Sequence, residues 1–422
     1  MDAKILAVYS GRDLETVDLG VMVTKTLTAV DLFAGAGGLS LGFEMAGFDV
    51  PLAVEIDAWA AETYKYNRPK CCVVQSDITE LSDAFFSDYR GVDVVMGGPP
   101  CQGFSISASN RRNTEDPRNF LYRQFLRVVS VIKPRMVLVE NVKGFPIARL
   151  PDGRLLLEDF CESLANMGYS VDYKLLDTAN FGVPQHRVRF FLTGSLDGVP
   201  DVLGPMALQV QPIPFLDECT YRTLWDSISD LPTVNPRELR EDDVLAYDKP
   251  PSNDYQRQLR FGSNSVYNHI PMRHSARVIE RFRCIPIGGN LTTAAGQHGA
   301  RQRGNPSNFS GVVYDQNHRR PDPNKPSPTI TASFYSSFIH PYEERNFTVR
   351  EAARIQSFPD FYRFYGKRTT LSKKLLLRKG IHEDIHLDQF NQVGNSVPPI
   401  LAEELAKKFA DRLVGNSCSI TH

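Results

Sequence analysis

The stretch TLTAVDLFAGAGGLSLGF, Thr26 to Phe43, holds the fold in miniature. Thr26 to Phe33 is a short apolar run that reads as a buried strand. Gly35, Gly37 and Gly38 then allow a tight turn and a close backbone approach to a ligand. Leu39 to Ala46 resumes at helical spacing. Strand, glycine turn and helix in that order open a βαβ unit. The alternation continues downstream. FDVPLAVEID carries a strand, Ala58 to Asn67 a helix, Val92 to Gly98 a strand and Phe120 to Ile132 a helix. Met136 to Asn141 is a strand, Leu155 to Met167 a helix, and strands follow at Tyr169 to Leu176 and Val188 to Gly194. Near-continuous apolar strands between helices predict a doubly wound, mostly parallel α/β sheet covered on both faces.

The pattern stops near Ser195. Val199 to Tyr342 is rich in Pro, Gly, Asn and Ser, with the breaker cluster PDPNKPSP at Pro321 to Pro328. It predicts a second, smaller, loop-rich domain over 199–387, with 1–198 and 388–422 forming the first. A helix returns at Thr348 to Ser357, where Thr348 and Glu351 have capping-box spacing. Pro398 and Pro399 open a closing amphipathic helix, Ile400 to Leu413, suited to pack back on the first domain.

The 422 residues exceed an ordinary single domain, and 42% hydrophobic with 23% charged residues exclude a mainly disordered chain. No apolar run approaches the roughly 18 residues of a membrane span. Seven Cys without a CxxC pair argue against a disulfide framework or a zinc ribbon and suit a reducing, cytoplasmic setting. No metal is expected, since no metal-ligand spacing occurs. The net charge of −1 hides an uneven distribution. Phe215 to Tyr255 holds ten acidic and four basic residues, whereas Gln256 to Lys325 holds eleven basic and three acidic. A local basic field of that kind draws a polyanion.

Five motifs carry chemistry. In DLFAGAGGLSLGF the spacing is GxGG rather than GxGxxG, so a dinucleotide is not specifically indicated. With Glu55 ending the second strand and Asp77 following the third, a nucleoside cofactor is. GGPPCQGFS, Gly97 to Ser105, follows a strand and so lies at the carboxyl edge of the sheet, where α/β sites lie. Pro99 and Pro100 stiffen the chain before Cys101, which reads as a thiolate nucleophile rather than a packed thiol. ENV at Glu140 to Val142 puts a carboxyl group at a neighbouring strand end, fit to exchange a proton but equally readable as a surface or capping acid. In PQHRVRF, Arg187 and Arg189 alternate on one face and suit an anionic or carbonyl-rich ligand, or else a solvated edge strand. QVGNSVPP forms a polar turn before the closing helix.

Taken in order, DLFAGAGG, VEID, GGPPCQGFS, ENV, QHRVR, TVREAARIQSFPD and QVGNSVPP resemble the cytosine-5 DNA methyltransferase family of restriction-modification type. The resemblance covers the first 195 residues and about the last 80. It implies an S-adenosylmethionine-dependent methyltransferase fold, with the loop-rich region as a target recognition domain. By position, Cys101 is the nucleophile at carbon 6 of cytosine, Glu140 contacts ring nitrogen 3, and Arg187 and Arg189 are the paired arginines near the base. Phe33, Gly35, Gly37, Glu55, Asp77, Pro99, Asn395 and Ser396, with their neighbours Gly38, Leu39, Ile56 and Ile78, fall where the family binds S-adenosyl-L-methionine. Gln102, Ser105, Arg301, Arg303, Arg319, Arg320 and Thr329 are the expected DNA contacts, and Gln102 to about Asn119 is expected to close over the DNA.

The expected partner is double-stranded DNA, without a membrane. The enzyme is expected to act as a monomer on a flipped-out cytosine, with a cognate restriction endonuclease acting at the same site. A tRNA cytosine-5 methyltransferase is the nearest alternative. The PPCQGFS form and the long basic insert favour DNA. A binding module without catalysis conflicts with the intact Cys101, Glu140, Arg187 and Arg189 set. A dehydrogenase conflicts with the missing GxGxxG. An amino-methyltransferase conflicts with the Pro-Pro-Cys loop. KKLLLRK, after Ser372, departs from the family pattern and is expected to pack rather than bind. Met1 to Lys25 has no assigned role.

Overall fold

The computed structural model describes residues 26–100, 120–203, 221–237, 243–293, 301–302, 305–309, 316–370 and 373–415. The chain divides into two compact units. The first comprises Met1–Phe181, Arg187–Phe215 and Val397–His422, and the second Gly182–His186 and Leu216–Ser396. The expected boundaries at 198/199 and 387/388 differ from these. The PQH of PQHRVRF and the QVGNS turn both fall in the second unit.

The first unit is built on one seven-stranded sheet. Its strands are β1 (Thr28–Leu32), β2 (Asp49–Glu55), β3 (Cys72–Gln75), β4 (Val94–Gly97), β5 (Met136–Val142), β6 (Ser170–Asp177) and β7 (Val188–Ser195). Their spatial order is β3-β2-β1-β4-β5-β7-β6. The first five in that order run parallel, and β7 runs antiparallel to both β5 and β6. The mostly parallel doubly wound sheet is therefore present, with one reversed strand near an edge.

Helices cover both faces because successive side chains on each strand point to opposite sides. Val30, Leu32, Val95, Val137 and Val139 pack with α4 (Leu121–Ile132) and α5 (Leu156–Asn166). The alternate residues Ala29, Val94, Met96 and Leu138 pack on the other face with Leu39 and Phe43 of α1 (Gly38–Met45) and Leu401, Leu405 and Phe409 of the closing helix, Pro399–Gly415. Gly42 makes that last packing possible: a Cβ there would stand 2.3 Å from the Ala402 Cβ. Between these, α2 (Ala58–Asn67) and α3 (Asp83–Ser87) complete the first unit's described helices up to β4. Asp57 caps α2, accepting from the Trp59 and Ala60 amides.

The second unit is built of short helices and two-residue ladders, as the Pro- and Gly-rich composition predicts. The capping box forms: Thr348 accepts from the Glu351 amide at 3.2 Å, and Glu351 accepts from the Thr348 amide at 2.7 Å. The interior around this helix is strongly polar. Arg345 forks onto Glu351 at 2.7 and 2.8 Å, and Arg354 bonds Asp230 and Asp360. KKLLLR forms a helix, Lys373–Arg378, with Leu376 buried and Leu375 and Leu377 exposed. Among the described residues no helix is long and apolar enough to cross a membrane.

This unit is expected to be acid-labile. Burial pushes His269, His274 and His318 down to about 4, and His340 to about 3. These rings stay neutral in the fold but protonate in the unfolded chain below the ordinary value of 6.5. The unfolded state therefore binds more protons, and stability falls as pH drops from about 6.5 towards 4. Glu351 and Asp360 act with the same sign at lower pH. Burial would raise both, but Arg345 and Arg354 respectively hold them below the carboxylate range, so their stabilisation is lost as they protonate. Trp59 and Trp225 are the two tryptophans of the chain, so a Trp59→Phe variant isolates the second unit's signal. Its urea midpoint should fall steadily from pH 7.5 to pH 5, and an unchanged midpoint would contradict the buried neutral histidines.

Candidate active site

The strand register sets the site. Leu32 pairs with Val54 and Gly97, and Gly97 pairs with Val139. The chain thus leaves β1, β2, β4 and β5 along one carboxyl edge, carrying Phe33, Gly35, Glu55, Pro99 and Glu140. Because β7 is reversed, its start lies at that same edge: Arg189 pairs with Val142 of β5 and Leu176 of β6. Arg189 therefore sits on an interior strand, and the edge-strand reading is excluded.

The glycine turn is backbone-strained. Phe33, Gly35 and Gly37 all have positive φ, at 57°, 54° and 80°. The Gly35 amide donates to Glu55 Oε2 at 2.7 Å, and the Asp57 amide donates to Glu55 Oε1 at 2.8 Å. Burial raises the Glu55 pKa against these backbone bonds. Each carboxylate oxygen keeps a further lone pair for a ligand hydroxyl. Ile56, beside it, is 62% exposed, a large apolar side chain presented at the sheet edge. Asp77 accepts from the Thr79 amide and hydroxyl at 2.9 and 2.7 Å, and Ile78 is buried. Gly38 and Leu39 begin α1 behind the turn. Asn395 and Ser396 lie in the second unit, Asn395 exposed and Ser396 buried with its hydroxyl donated to the Gln392 carbonyl at 2.7 Å.

The Gly-Gly-Pro-Pro segment is shaped by its neighbours. A Cβ on Gly97 would stand 2.2 Å from the Leu32 carbonyl oxygen, and one on Gly98 3.3 Å from Glu140 Oε2. Pro99 is buried, and its carbonyl accepts from Asn141 Nδ2 at 2.8 Å. Asn141, within the ENV already singled out, is thus a positioning residue that motif reading passed over. Cys101, Gln102, Ser105 and the expected closing segment lie outside the described residues.

Glu140 approaches Arg189, with Oε1 3.3 Å from Nε. Burial raises the Glu140 pKa, while Arg189 and then Arg187 oppose the rise. Arg187 is 1% exposed, and its amide donates to Asp177 at 3.0 Å. Burial, then repulsion from Arg189, lowers its pKa well below the usual guanidinium range, with Glu140 opposing. The result is a largely buried carboxyl whose pKa burial raises against two neighbouring cations.

The expected DNA contacts fare unevenly. Arg320 is a correction. It is 5% exposed, and its guanidinium donates to the carbonyls of Ile285, His340, Pro341 and Phe282 at 2.7–3.0 Å. A guanidinium bonded in this way and 5% exposed builds the second unit rather than facing a base. Arg319 is half-buried over the Phe338 ring, 4.5 Å from its centroid. Thr329 donates its hydroxyl to the His186 carbonyl at 2.8 Å. The backbone of Arg301 pairs with Phe309 in a short ladder. Arg303 lies outside the described residues.

The mostly parallel seven-stranded sheet, with its reversed strand next to one edge, matches the fold of the S-adenosylmethionine-dependent methyltransferases. Residues 27–411 match the model of the C-5 cytosine-specific DNA methylases, and the chain belongs to that family. It is a cytosine-5 DNA methyltransferase. It is 42% identical over 388 residues to the type II methyltransferase M.DdeI of Desulfomicrobium norvegicum, covering 91% of this chain and 88% of that one. It is 35% identical to M1.HphI of Haemophilus parahaemolyticus, covering 90% and 86%. A crystal structure from E. coli, of a prophage-encoded protein assigned as a DNA modification methyltransferase, superposes with TM-score 0.67 at 28% identity, covering 92% of this chain and all of that one. The S. pombe Dnmt2 methyltransferase shares the fold, at 17% identity and TM-score 0.53 over 93% of this chain.

The structural role of Arg320 is testable. Arg320→Ala leaves several buried carbonyls unpaired and should cost about 3 kcal/mol. Urea unfolding followed by Trp225 fluorescence reads that loss. A loss below about 1 kcal/mol, the level of ordinary surface substitutions, would return Arg320 to the DNA-facing set.

Proposed function

We propose that the enzyme methylates carbon 5 of a flipped-out cytosine within a specific duplex sequence, through a covalent Cys101 adduct. In this reading it acts as a monomer and protects DNA in a type II restriction-modification system beside a cognate endonuclease. The observation that carries the reading is the Glu140 carboxyl, largely buried beside Gly98 and flanked by Arg189 at the edge that leads into Cys101.

Carbon 5 of cytosine is a poor nucleophile. Addition of the Cys101 thiolate at carbon 6 makes the ring enamine-like, provided that nitrogen 3 is protonated. Burial disposes Glu140 to hold that proton, and Arg189 keeps the shift from locking it there. Arg187 and Arg189 supply donors for the ring carbonyl. Once carbon 5 has taken up the methyl group, loss of its proton expels the Cys101 thiolate and restores the ring. The target atom is shielded within a duplex, so the base must leave the stack.

The glycine turn suits S-adenosylmethionine. Glu55 retains acceptor capacity for ribose hydroxyls, exposed Ile56 offers an apolar face for adenine, and Asp77 is within the same edge. Phe33, Gly35, Gly37, Gly38, Leu39, Ile78 and Pro99 complete the set in this reading. When bound, the cofactor supplies an electrophilic methyl group on a sulfonium.

The second unit serves as the target recognition domain. Some of its arginines are paired with carboxylates: Arg260 with the buried Asp230, and Arg257 and Arg283 with the exposed Asp254 and Glu280. Arg273 and Arg277 stay exposed and contact phosphate, while Arg301, Arg303, Arg319 and Thr329 remain candidates for bases. The type II methyltransferases of Desulfomicrobium and Haemophilus lend the restriction-modification role.

Methyl transfer from labelled S-adenosylmethionine to unmethylated genomic DNA and, separately, to bulk tRNA tests the whole reading. Methylcytosine should appear at one repeated DNA motif and vanish in Cys101→Ala. Glu140→Gln should lower kcat by about a hundredfold or more. Label confined to tRNA would move the substrate assignment. Arg277→Ala should weaken binding equally across sequences and reduce the slope of log affinity against log salt by about 1. A sequence-selective loss would make Arg277 a base reader instead.

A further inference from the structure

Beyond the motif residues, we infer that Arg68 is a positioning residue of the cofactor pocket, clamping the left-handed glycine turn through the Gly37 carbonyl. The inference rests on the reading of that turn as the S-adenosylmethionine site.

Three of the five residues from Phe33 to Gly37 have positive φ, and one of them, Phe33, carries a full side chain. Such a conformation persists only where the surroundings over-determine it. From the sheet side, Glu55 holds the Gly35 amide. From the helix side the hold is Arg68. Its Nη2 donates to the Gly37 carbonyl at 2.8 Å, and its Nε donates to Glu44 Oε2 at 2.8 Å. Its guanidinium carbon lies 4.6 Å from the centre of the Tyr64 ring. A Cβ on Gly37 would stand 2.6 Å from Arg68 Nη1 and 2.8 Å from the Tyr64 ring, so the turn and its clamp are fitted to each other.

The clamp is itself anchored to the sheet. Tyr64 donates its hydroxyl to Ser40 Oγ at 2.7 Å, and Ser40 donates to Asp31 Oδ2 at 2.5 Å. Asp31, Ser40, Tyr64 and Arg68 are all buried. Gly37 precedes α1 with no side-chain cap of its own. The position of the turn is therefore dictated from β1 through α1 and α2, and Arg68 is the last link. No motif marks Arg68, because its partners lie 31 and 24 residues away.

Arg68→Lys keeps the charge but cannot reach Glu44 and Gly37 together, and Arg68→Gln removes the charge. In the full-length enzyme both should weaken S-adenosylhomocysteine binding about tenfold by calorimetry, with the KM for duplex DNA and the kcat at saturating cofactor within about threefold of the parent. Glu44→Gln keeps the Gly37 bond and should lower Tm while leaving cofactor affinity within about twofold. Cofactor affinity unchanged in folded Arg68→Lys, despite a lower Tm, would make Arg68 a packing residue and overturn the inference. So would an equal affinity loss in Glu44→Gln. Glu55→Ala separates the two levels. If it weakens cofactor binding while Arg68→Lys does not, only the clamp fails; if neither does, the pocket reading fails with it.

Discussion

A carboxyl group buried at a sheet edge must be balanced, and the active edge of this enzyme depends on how that is done. Glu140, two residues before the end of β5, is largely withdrawn from bulk water, where an uncompensated charge would be costly. In an all-parallel sheet, the start of the neighbouring strand would lie at the opposite edge. Here β7 is reversed, so its first residues arrive beside the last residues of β5. That single inversion delivers Arg189 to Glu140. The compensation is partial: burial still raises the carboxyl pKa, and repulsion between the arginines lowers that of Arg187. Incomplete compensation is what the role proposed for Glu140 requires, since a fully paired carboxylate would be locked in its ionised form.

The second unit uses charge differently. Arg345 and Arg354 are each matched by carboxylates in bonds of 2.5–2.9 Å, and Glu351 is held below the carboxylate range against its burial. Buried pairs of this kind contribute little net stability compared with apolar packing, but losing one partner is severe. A loop-rich unit with short helices has few long apolar faces with which to fix its geometry. Directional ion pairs fix it instead. The same economy explains why the strongly basic composition of Gln256–Lys325 overstates the field offered to DNA, since Arg320 and Arg260 face inward.

What was legible in the sequence was local. Strands β1, β2 and β4 to β7 follow from near-continuous apolar runs and helices α1, α4 and α5 from apolar residues at helical spacing; α2 was bounded at the residues observed, and β3 was legible only as the strand before Asp77. The capping box at Thr348 needed only two residues three apart. The carboxyl-edge placement of Glu55, Pro99 and Glu140 followed because each lies at or within two residues of a strand's carboxyl end. Strand direction was not legible: an apolar run has no arrow, so the reversal of β7 emerged only from its pairing. Nor was the burial of Arg320, whose carbonyl partners Phe282 and His340 lie 38 and 20 residues away. An arginine in a loop between Asn, Gly and Pro has the same local signature whether it faces solvent or threads a core.

The scattered motifs of the second unit are bound together by one pair of amides. Gln185 of PQHRVRF accepts from the Ile330 amide at 2.6 Å and donates to Gln356 Oε1 at 2.8 Å. Gln356 of IQSFPD in turn donates to the Val393 carbonyl at 2.9 Å and the Ser396 carbonyl at 3.4 Å. Both glutamines are fully buried. Gly394 brings the QVGNS helix so close to the segment PSPTITAS, Pro326 to Ser333, that a Cβ would stand 2.4 Å from the Thr331 carbonyl oxygen. An uncharged amide is suited to this junction because it offers donors and acceptors together without the desolvation cost of an ion. A glutamate at either position would lose the donors and bury a charge. The segments carrying Thr329, His186 and Ser396 thus share one hydrogen-bonded frame, and four motifs that look independent along the chain are one structural element in space.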